Sequence, residues 1–196
     1  MKDIVNVINL PKRTDRLRSF EIQASEQGFE YKVFDGIIDL PMVMRGISDA
    51  HKRVVRYAIS KGLKRVVIAE DDIIFTSTGA YDYFLSQIPE SYDLFFCGYY
   101  EGKVDENNRL VKSELANEIL SGLTLYVVHE RFYYDFLNVY SFDNLDKQIG
   151  LLADKYEFYV CDPFVAFQAN GFSDNRKRER NYDKYMKGRK LYGVNS

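Results

Sequence analysis

Three carboxylates stand in a row inside an otherwise apolar run, Val66-Val67-Ile68-Ala69-Glu70-Asp71-Asp72-Ile73-Ile74-Phe75. Adjacent carboxylates repel one another and are costly to desolvate unless something positive joins them. A strand that ends by presenting Glu70 and Asp72 to one side suits a hard divalent cation with oxygen ligands. In open α/β sheets such strand ends open onto the ligand crevice, and the cation would in turn hold a phosphate. The plain alternative is a solvated acidic turn after a buried strand. A second cluster, Asn9-Leu10-Pro11-Lys12-Arg13-Thr14-Asp15-Arg16, places three basic residues where a helix opens. A helix N-terminus with arginines binds phosphate or diphosphate. An exposed first turn paired with Asp15 and Glu21 is the alternative there. Of the two histidines, His51 precedes the acidic run and His129 follows an apolar one, and neither has a Cys or His nearby at metal-ligand spacing.

These groups need a frame. Residues 4–10 read as a buried strand stopped by Pro11, and Leu17, Phe20 and Ala24 follow at helical spacing up to Gly28. Residues 31–34 predict a second strand before the turn signal Asp35-Gly36. Ser48 predicts a helix cap, with His51 in the first turn, Ala50, Val54, Tyr57 and Ala58 on the apolar side and Gly62 as the stop. Residues 65–69 predict the strand that delivers the acids, and Thr78 predicts the cap of a helix ending at Pro89. Strands are expected over residues 93–99 and 123–128, an exposed hairpin over 103–112, and helices over 130–140 and from Asp143. Residues 157–162 and 164–169 supply late strands. Strands alternating with helices imply parallel crossovers. The hairpin and late strands make the expected α/β sheet mixed but mostly parallel, flanked by helices.

The 196 residues are 46% hydrophobic and 29% charged, with a formal net charge of −2. That balance fits one folded domain and gives no bulk positive charge for nucleic acid. Cys97 and Cys161 both lie in apolar runs and are expected as buried thiols, too few for a disulfide framework or zinc cluster. No apolar run approaches the roughly 18 residues of a membrane span, and the first residues lack a signal-peptide pattern, so a cytoplasmic location is expected. Sixteen Tyr and fourteen Phe against no Trp suggest an aromatic core, with some tyrosines available to stack on a base or sugar ring. Residues 176–190 carry eight basic side chains against two acids. The expected organisation is a single folded domain over residues 1–175 and a basic tail over 176–196. The tail reads as a solvated charged helix or frayed end, as a lid on a diphosphate, or as a peripheral membrane contact.

The order of these motifs resembles glycosyltransferase family 25, the lipopolysaccharide-type and procollagen-type galactosyltransferases. The resemblance runs through Val7-Ile8-Asn9-Leu10 with Arg13 and Arg16, Asp35-Gly36, Ser48 and His51, and Ala69-Glu70-Asp71-Asp72. It continues through residues 121–128, Asp143 or Asp146 before an amphipathic helix, residues 160–163, Gln168 and Phe172-Ser173-Asp174, so it spans about residues 4–174. The chain departs from the pattern where Asp49-Ala50 separate Ser48 from His51.

The resemblance implies a GT-A type fold, a UDP-sugar donor, a divalent metal (manganese, with magnesium as the alternative), inversion, and a glycan or lipid-linked acceptor. It assigns Asp72 and Glu70 to the metal, and Glu70 or Asp71 to orienting ribose or bound water. Asn9, Leu10, Arg13, Arg16, Asp35, Gly36 and His51 fall on the nucleotide side. Asp146, Asp143 and Asp174 are the candidate bases for the acceptor proton. Two other classes share parts of this pattern. A phosphotransfer or nucleotidyl-transfer enzyme would want a glycine-rich phosphate loop or an acidic pair on the first strand. A non-catalytic nucleotide-sugar-binding module would not need all three acids intact.

Overall fold

The structure is a computed structural model that describes residues 3–39, 41–113, 115 and 118–194. The chain opens with β1 (Val5–Asn9), α1 (Thr14–Gln27) and β2 (Tyr31–Asp35). Gly28 ends α1 with φ 66°, and the Phe29 N–H returns to the Ala24 carbonyl at 3.2 Å, as the glycine stop signal predicts. Next come α2 (Val43–Ser60), β3 (Arg65–Glu70), β4 (Ile73–Phe75), α3 (Ala80–Ser86), β5 (Leu94–Phe96) and β6 (Leu125–His129). A short 3₁₀ turn leads into α4 (Tyr133–Asn138), then α5 (Leu145–Gly150), β7 (Phe158–Val160) and β8 (Ala166–Gln168). The chain finishes with β9 (Gly171–Ser173), β10 (Arg178–Arg180) and α6 (Asp183–Met186).

Six strands form one sheet in the order β2-β1-β3-β6-β5-β7. Its β2·β1, β1·β3 and β5·β7 pairs are parallel, and β6 alone runs against its neighbours. The expected mixed, mostly parallel sheet is therefore present. Alternation along its central strands splits the core in two. Val66 and Ile68 of β3 face Val54, Val55 and Ala58 of α2. Val67 and Ala69 join Phe20 and Ala24 of α1 and Tyr81 and Phe84 of α3 on the other face. Both faces of β3 are covered, which is why its sequence is a continuous apolar run.

Several boundaries differ from expectation. The long helix begins at Val43, so Ser48 is an interior residue whose hydroxyl donates to Ser141 Oγ at 3.1 Å. His51 accordingly sits more than two turns into the helix. The weak sequence signal in the first turn has a packing cause: a Cβ at Gly46 would fall 2.5 Å from the Ile37 carbonyl oxygen, so the close approach of the preceding loop requires glycine there. Thr78 does not cap α3; Gly79, at φ 78°, precedes it. Asn144, rather than Asp143, is the residue at the α5 N-terminus. The 103–112 segment closes through a Val104–Leu110 bridge around Asn108 at φ 59°, but Leu110 is buried rather than exposed.

The basic C-terminal segment is packed. β10 pairs with β9, and Tyr182 and Tyr185 stack near Tyr100 at centroid distances of 5.0 and 5.5 Å. The Phe164 N–H donates to the Lys190 carbonyl at 2.9 Å. Among the described residues no helix is long and apolar enough to cross a membrane.

Candidate functional site

The carboxyl ends of β1 and β3 open onto a cleft of about 420 Å³. This is within the usual range for a small-molecule site. Glu70 is the last residue of β3, and Asp71 and Asp72 form the turn into β4. The turn is held from three sides. Asn9 Nδ2 donates to Asp71 Oδ2 at 2.7 Å. Arg16 Nη1 donates to Asp71 Oδ1 at 3.1 Å and to Asp72 Oδ2 at 2.8 Å. Gln168 Nε2 donates to Asp72 Oδ2 at 2.6 Å, because the β4·β8 pairing sets Gln168 opposite Ile73.

The electrostatics are those of acids short of cations. Burial, and then the charges of Asp72, Asp71 and Asp146, raise Glu70 well above the usual carboxylate range. Its side chain keeps 30% exposure toward the cleft, so water or a ligand can reach it. Burial likewise raises Asp71 despite Arg16 and Asn9, and lifts Asp72 to about 6 despite Arg16. Asp72 Oδ1 is buried without a hydrogen-bond partner among the described residues. A buried carboxylate oxygen left unmatched is costly, and a hard cation would satisfy it.

Among the described residues no three His, Cys, Asp or Glu side chains are assembled into a complete cage. The donor set suits a cation of the magnesium or manganese kind, which takes one or two carboxylates and completes its shell with phosphate oxygens and water. Asp72, with Glu70 beside it, provides that number.

Asp146 lines the same cleft from α5. Its Oδ2 accepts the Gly122 N–H at 3.1 Å and its Oδ1 the Lys147 N–H at 2.9 Å, while burial raises its pKa. The other two candidate bases are placed differently. Asp174 lines the cleft but pairs with Lys12 Nζ at 2.8 Å and Arg13 Nη1 at 2.5 Å. Burial would raise its pKa, yet those two hydrogen bonds bring it below the usual range. Asp143 does not line the cleft; it accepts from the Asn144 N–H at 2.7 Å and from Gln148 Nε2 at 3.2 Å.

The residues assigned to the nucleotide side separate into two groups. Leu10, Arg16, Gly36, His51, Glu70 and Asp71 line the cleft. Asn9, Arg13 and Asp35 do not: Asn9 supports Asp71, Arg13 spans Asp15 and Asp174, and Asp35 is exposed at the end of β2. Burial lowers His51 to about 4, so its ring is neutral at pH 7. Its Nδ1 shares a 2.7 Å hydrogen bond with the Tyr126 hydroxyl, and its Nε2 lies 3.8 Å from Glu70 Oε1.

Sequence reasoning assigns no role of its own to Gln168 and singles out no particular tyrosine as a ligand contact, whereas it marks Lys12 and the basic segment for a phosphate. Gln168 links Asp72 to Tyr100, whose hydroxyl donates to Gln168 Oε1 at 3.2 Å and accepts the Gln168 N–H at 3.0 Å. Glutamine carries no chemical signal by type, so only its place in the resemblance marked it. Tyr100, Tyr182 and Tyr185 line the cleft together, in keeping with the aromatic excess. Arg176, Lys177 and Arg180 from the basic segment, with Lys12, contribute the cations of its wall.

No protein-family model matches the sequence, and no curated protein matches it. Solved structures do resemble the fold. A197 from STIV aligns with a TM-score of 0.55 at 11% identity, covering 91% of this chain and 93% of that one. A mutant Drosophila β-1,4-galactosyltransferase 7, solved with manganese, UDP-Gal and xylobiose, aligns with a TM-score of 0.55 at 11% identity over 100% of this chain and 77% of that one. A glycosyltransferase involved in glycosylation of the major capsid of PBCV-1 aligns at 0.52 and 13% identity, covering 98% and 94%. The likeness is one of fold: the mixed, mostly parallel sheet flanked by helices is the GT-A architecture of glycosyltransferases.

Proposed function

We propose that this chain is a metal-assisted glycosyltransferase that moves a sugar from a UDP-sugar to a hydroxyl group of a glycan or lipid-linked acceptor, with inversion. The observation that carries the reading is the meeting of two acidic features in one cleft. One is the Glu70-Asp71-Asp72 turn with its unpartnered Asp72 oxygen; the other is Asp146, a separate half-buried acid from α5. The UDP donor and manganese are supported by the family 25 resemblance and by the Drosophila neighbour, which was solved with both.

In this reaction the leaving nucleoside diphosphate gains negative charge as the glycosidic bond breaks. A divalent cation held by Asp72 and Glu70 would act as a Lewis acid on that charge. Arg16 keeps Asp71 and Asp72 oriented. Lys12, Arg176, Lys177 and Arg180 stand around the cleft as further partners for the diphosphate, which favours the lid role of the basic segment over a membrane role. Tyr100, Tyr182 and Tyr185 offer ring faces and hydroxyls that exclude water from the sugar.

Asp146 is the base. Its hydrogen bonds from the Gly122 and Lys147 N–H groups, with the Ser121 side chain as a further partner, fix its orientation and still leave a lone pair for a hydroxyl proton. Its raised pKa brings it closer to neutral pH, where a base works best. Asp174 is the weaker candidate because two cations already hold its charge.

Hydrolysis and transfer assays with UDP-sugars and manganese test the proposal. Asp146→Asn is expected to lower turnover by roughly two to four orders of magnitude while UDP affinity holds. Unchanged turnover would remove Asp146 from the chemistry, and an equal loss of UDP affinity would move it to the donor side.

A further inference from the structure

The segment between α4 and α5 carries two large aromatic side chains turned to solvent. Tyr140 is 60% exposed and Phe142 48%. Their ring centroids lie 5.6 Å apart with the planes tilted by 44°. Between them sits Ser141, which faces the protein. Its Oγ accepts from Lys52 Nζ at 2.7 Å and from Ser48 Oγ at 3.1 Å.

Lys52 is itself only 4% exposed, and its ammonium also donates to the Val139 carbonyl. Burying a lysine is costly, and its hydrogen bonds go to this segment. The chain bends here, and while Ser141 is fastened inward its two neighbours stay exposed with their rings in contact, so the anchor leaves Tyr140 and Phe142 outward as a pair. The Phe142 ring lies 5.7 Å from the Arg45 guanidinium carbon, and Arg45 is in turn paired with Asp39, a residue of the cleft wall. After Phe142 the chain runs through Asp143 into residues 144–147, which line the cleft and include Asp146.

We propose that Tyr140 and Phe142 form a stacking platform for a pyranose ring of a saccharide acceptor, at the entrance that leads to Asp146. The proposal rests on the glycosyltransferase reading and names the acceptor class. A pyranose has an apolar face of C–H groups and a rim of hydroxyls. The two rings match the face, and Asp143, Asn144, Asp39 and Arg45 around them can bond the rim. Two side chains fall far short of the ~800 Å² per partner that a stable protein interface buries. A lipid surface would call for clustered free cations beside the rings, whereas Arg45 is already paired with Asp39 and Asp143 adds a negative charge.

Saturation-transfer NMR on the whole chain tests this, with methyl β-galactopyranoside, lactose, cellobiose and maltose as probes and UDP present. At least one probe is expected to receive saturation on its ring protons. The Tyr140→Ala/Phe142→Ala double variant should bind that probe about tenfold more weakly while its UDP affinity stays unchanged. In transfer assays the acceptor KM should rise with little change in kcat. The proposal is overturned if no probe binds the wild-type chain, or if the double variant binds as the wild type does. It is also overturned if the double variant instead loses a dimer in sedimentation or association with anionic vesicles. Sugar binding that persists in a chain unable to bind UDP would contradict the donor reading and leave the platform standing.

Discussion

Arg16 Nη1 donates to Asp72 Oδ2 at 2.8 Å, which fastens the first turn of α1 to the acidic turn after β3. The same guanidinium reaches Asp71 at 3.1 Å and, through Nη2, the Phe172 carbonyl at 2.8 Å. One planar side chain thus joins three segments that are distant in sequence. Arg16→Ala leaves two buried carboxylates without their cation and is expected to cost about 3 kcal/mol of folding stability in the presence of chelator. Manganese should recover more stability in the variant than in the wild type, since a cation bound to the folded state alone stabilises it. Urea unfolding with and without manganese measures both, and equal stability of variant and wild type would remove the structural role of the pair.

His51 makes the fold sensitive to acid. Burial lowers its pKa from 6.5 to about 4, so between those values the unfolded chain binds more protons than the folded one. Its contribution is intact above pH 6.5 and is lost as pH falls toward 4, by on the order of 3 kcal/mol in total. The raised carboxylates of the cleft act in the opposite direction, so the difference between wild type and His51→Gln isolates the histidine. That difference should change with pH across this window and level off above it. A flat difference would contradict the buried neutral imidazole.

Much of this frame was legible in the sequence because its signals are local. The apolar run of β3, the spacing of Leu17, Phe20 and Ala24 and the stop at Gly28 each report on neighbours a few residues away. What escaped depends on distant partners. The start of α2 at Val43 goes with a loop that passes so close to Gly46 that no Cβ fits there, and Ser48 is drawn inward by Ser141. The acidic turn was readable as a cluster, but not that Arg16 and Gln168 would hold it, since they come from 56 and 96 residues away. Among the three candidate bases, only placement distinguishes Asp146 in the cleft from Asp143 outside it and Asp174 between two cations.

The basic segment gives a prediction that charge counting alone could not. Tyr182 and Tyr185 pack on Tyr100 and Leu191 bridges Phe164, so deleting residues 176–196 would expose part of the core. Neutralising Arg176, Lys177 and Arg180 to glutamine keeps the packing on Tyr100 and Phe164 and gives up the Arg180 guanidinium beside the Tyr182 ring, 5.6 Å from its centre. The triple variant should fold as the wild type does and bind UDP about tenfold or more weakly, with a reduced dependence on salt. Calorimetry at low and moderate salt checks this, and unchanged UDP affinity would place these cations outside the diphosphate site.

Titration of the chain with UDP by calorimetry, with manganese and then with chelator, tests the central claim most directly. The account predicts that UDP binding strengthens markedly with manganese and collapses with chelator. In Asp72→Asn, which loses one direct oxyanion ligand, most of that metal dependence should disappear while the fold persists. UDP binding equally tight with and without the metal, or a metal response unchanged in Asp72→Asn, would contradict the role given to Glu70, Asp71 and Asp72.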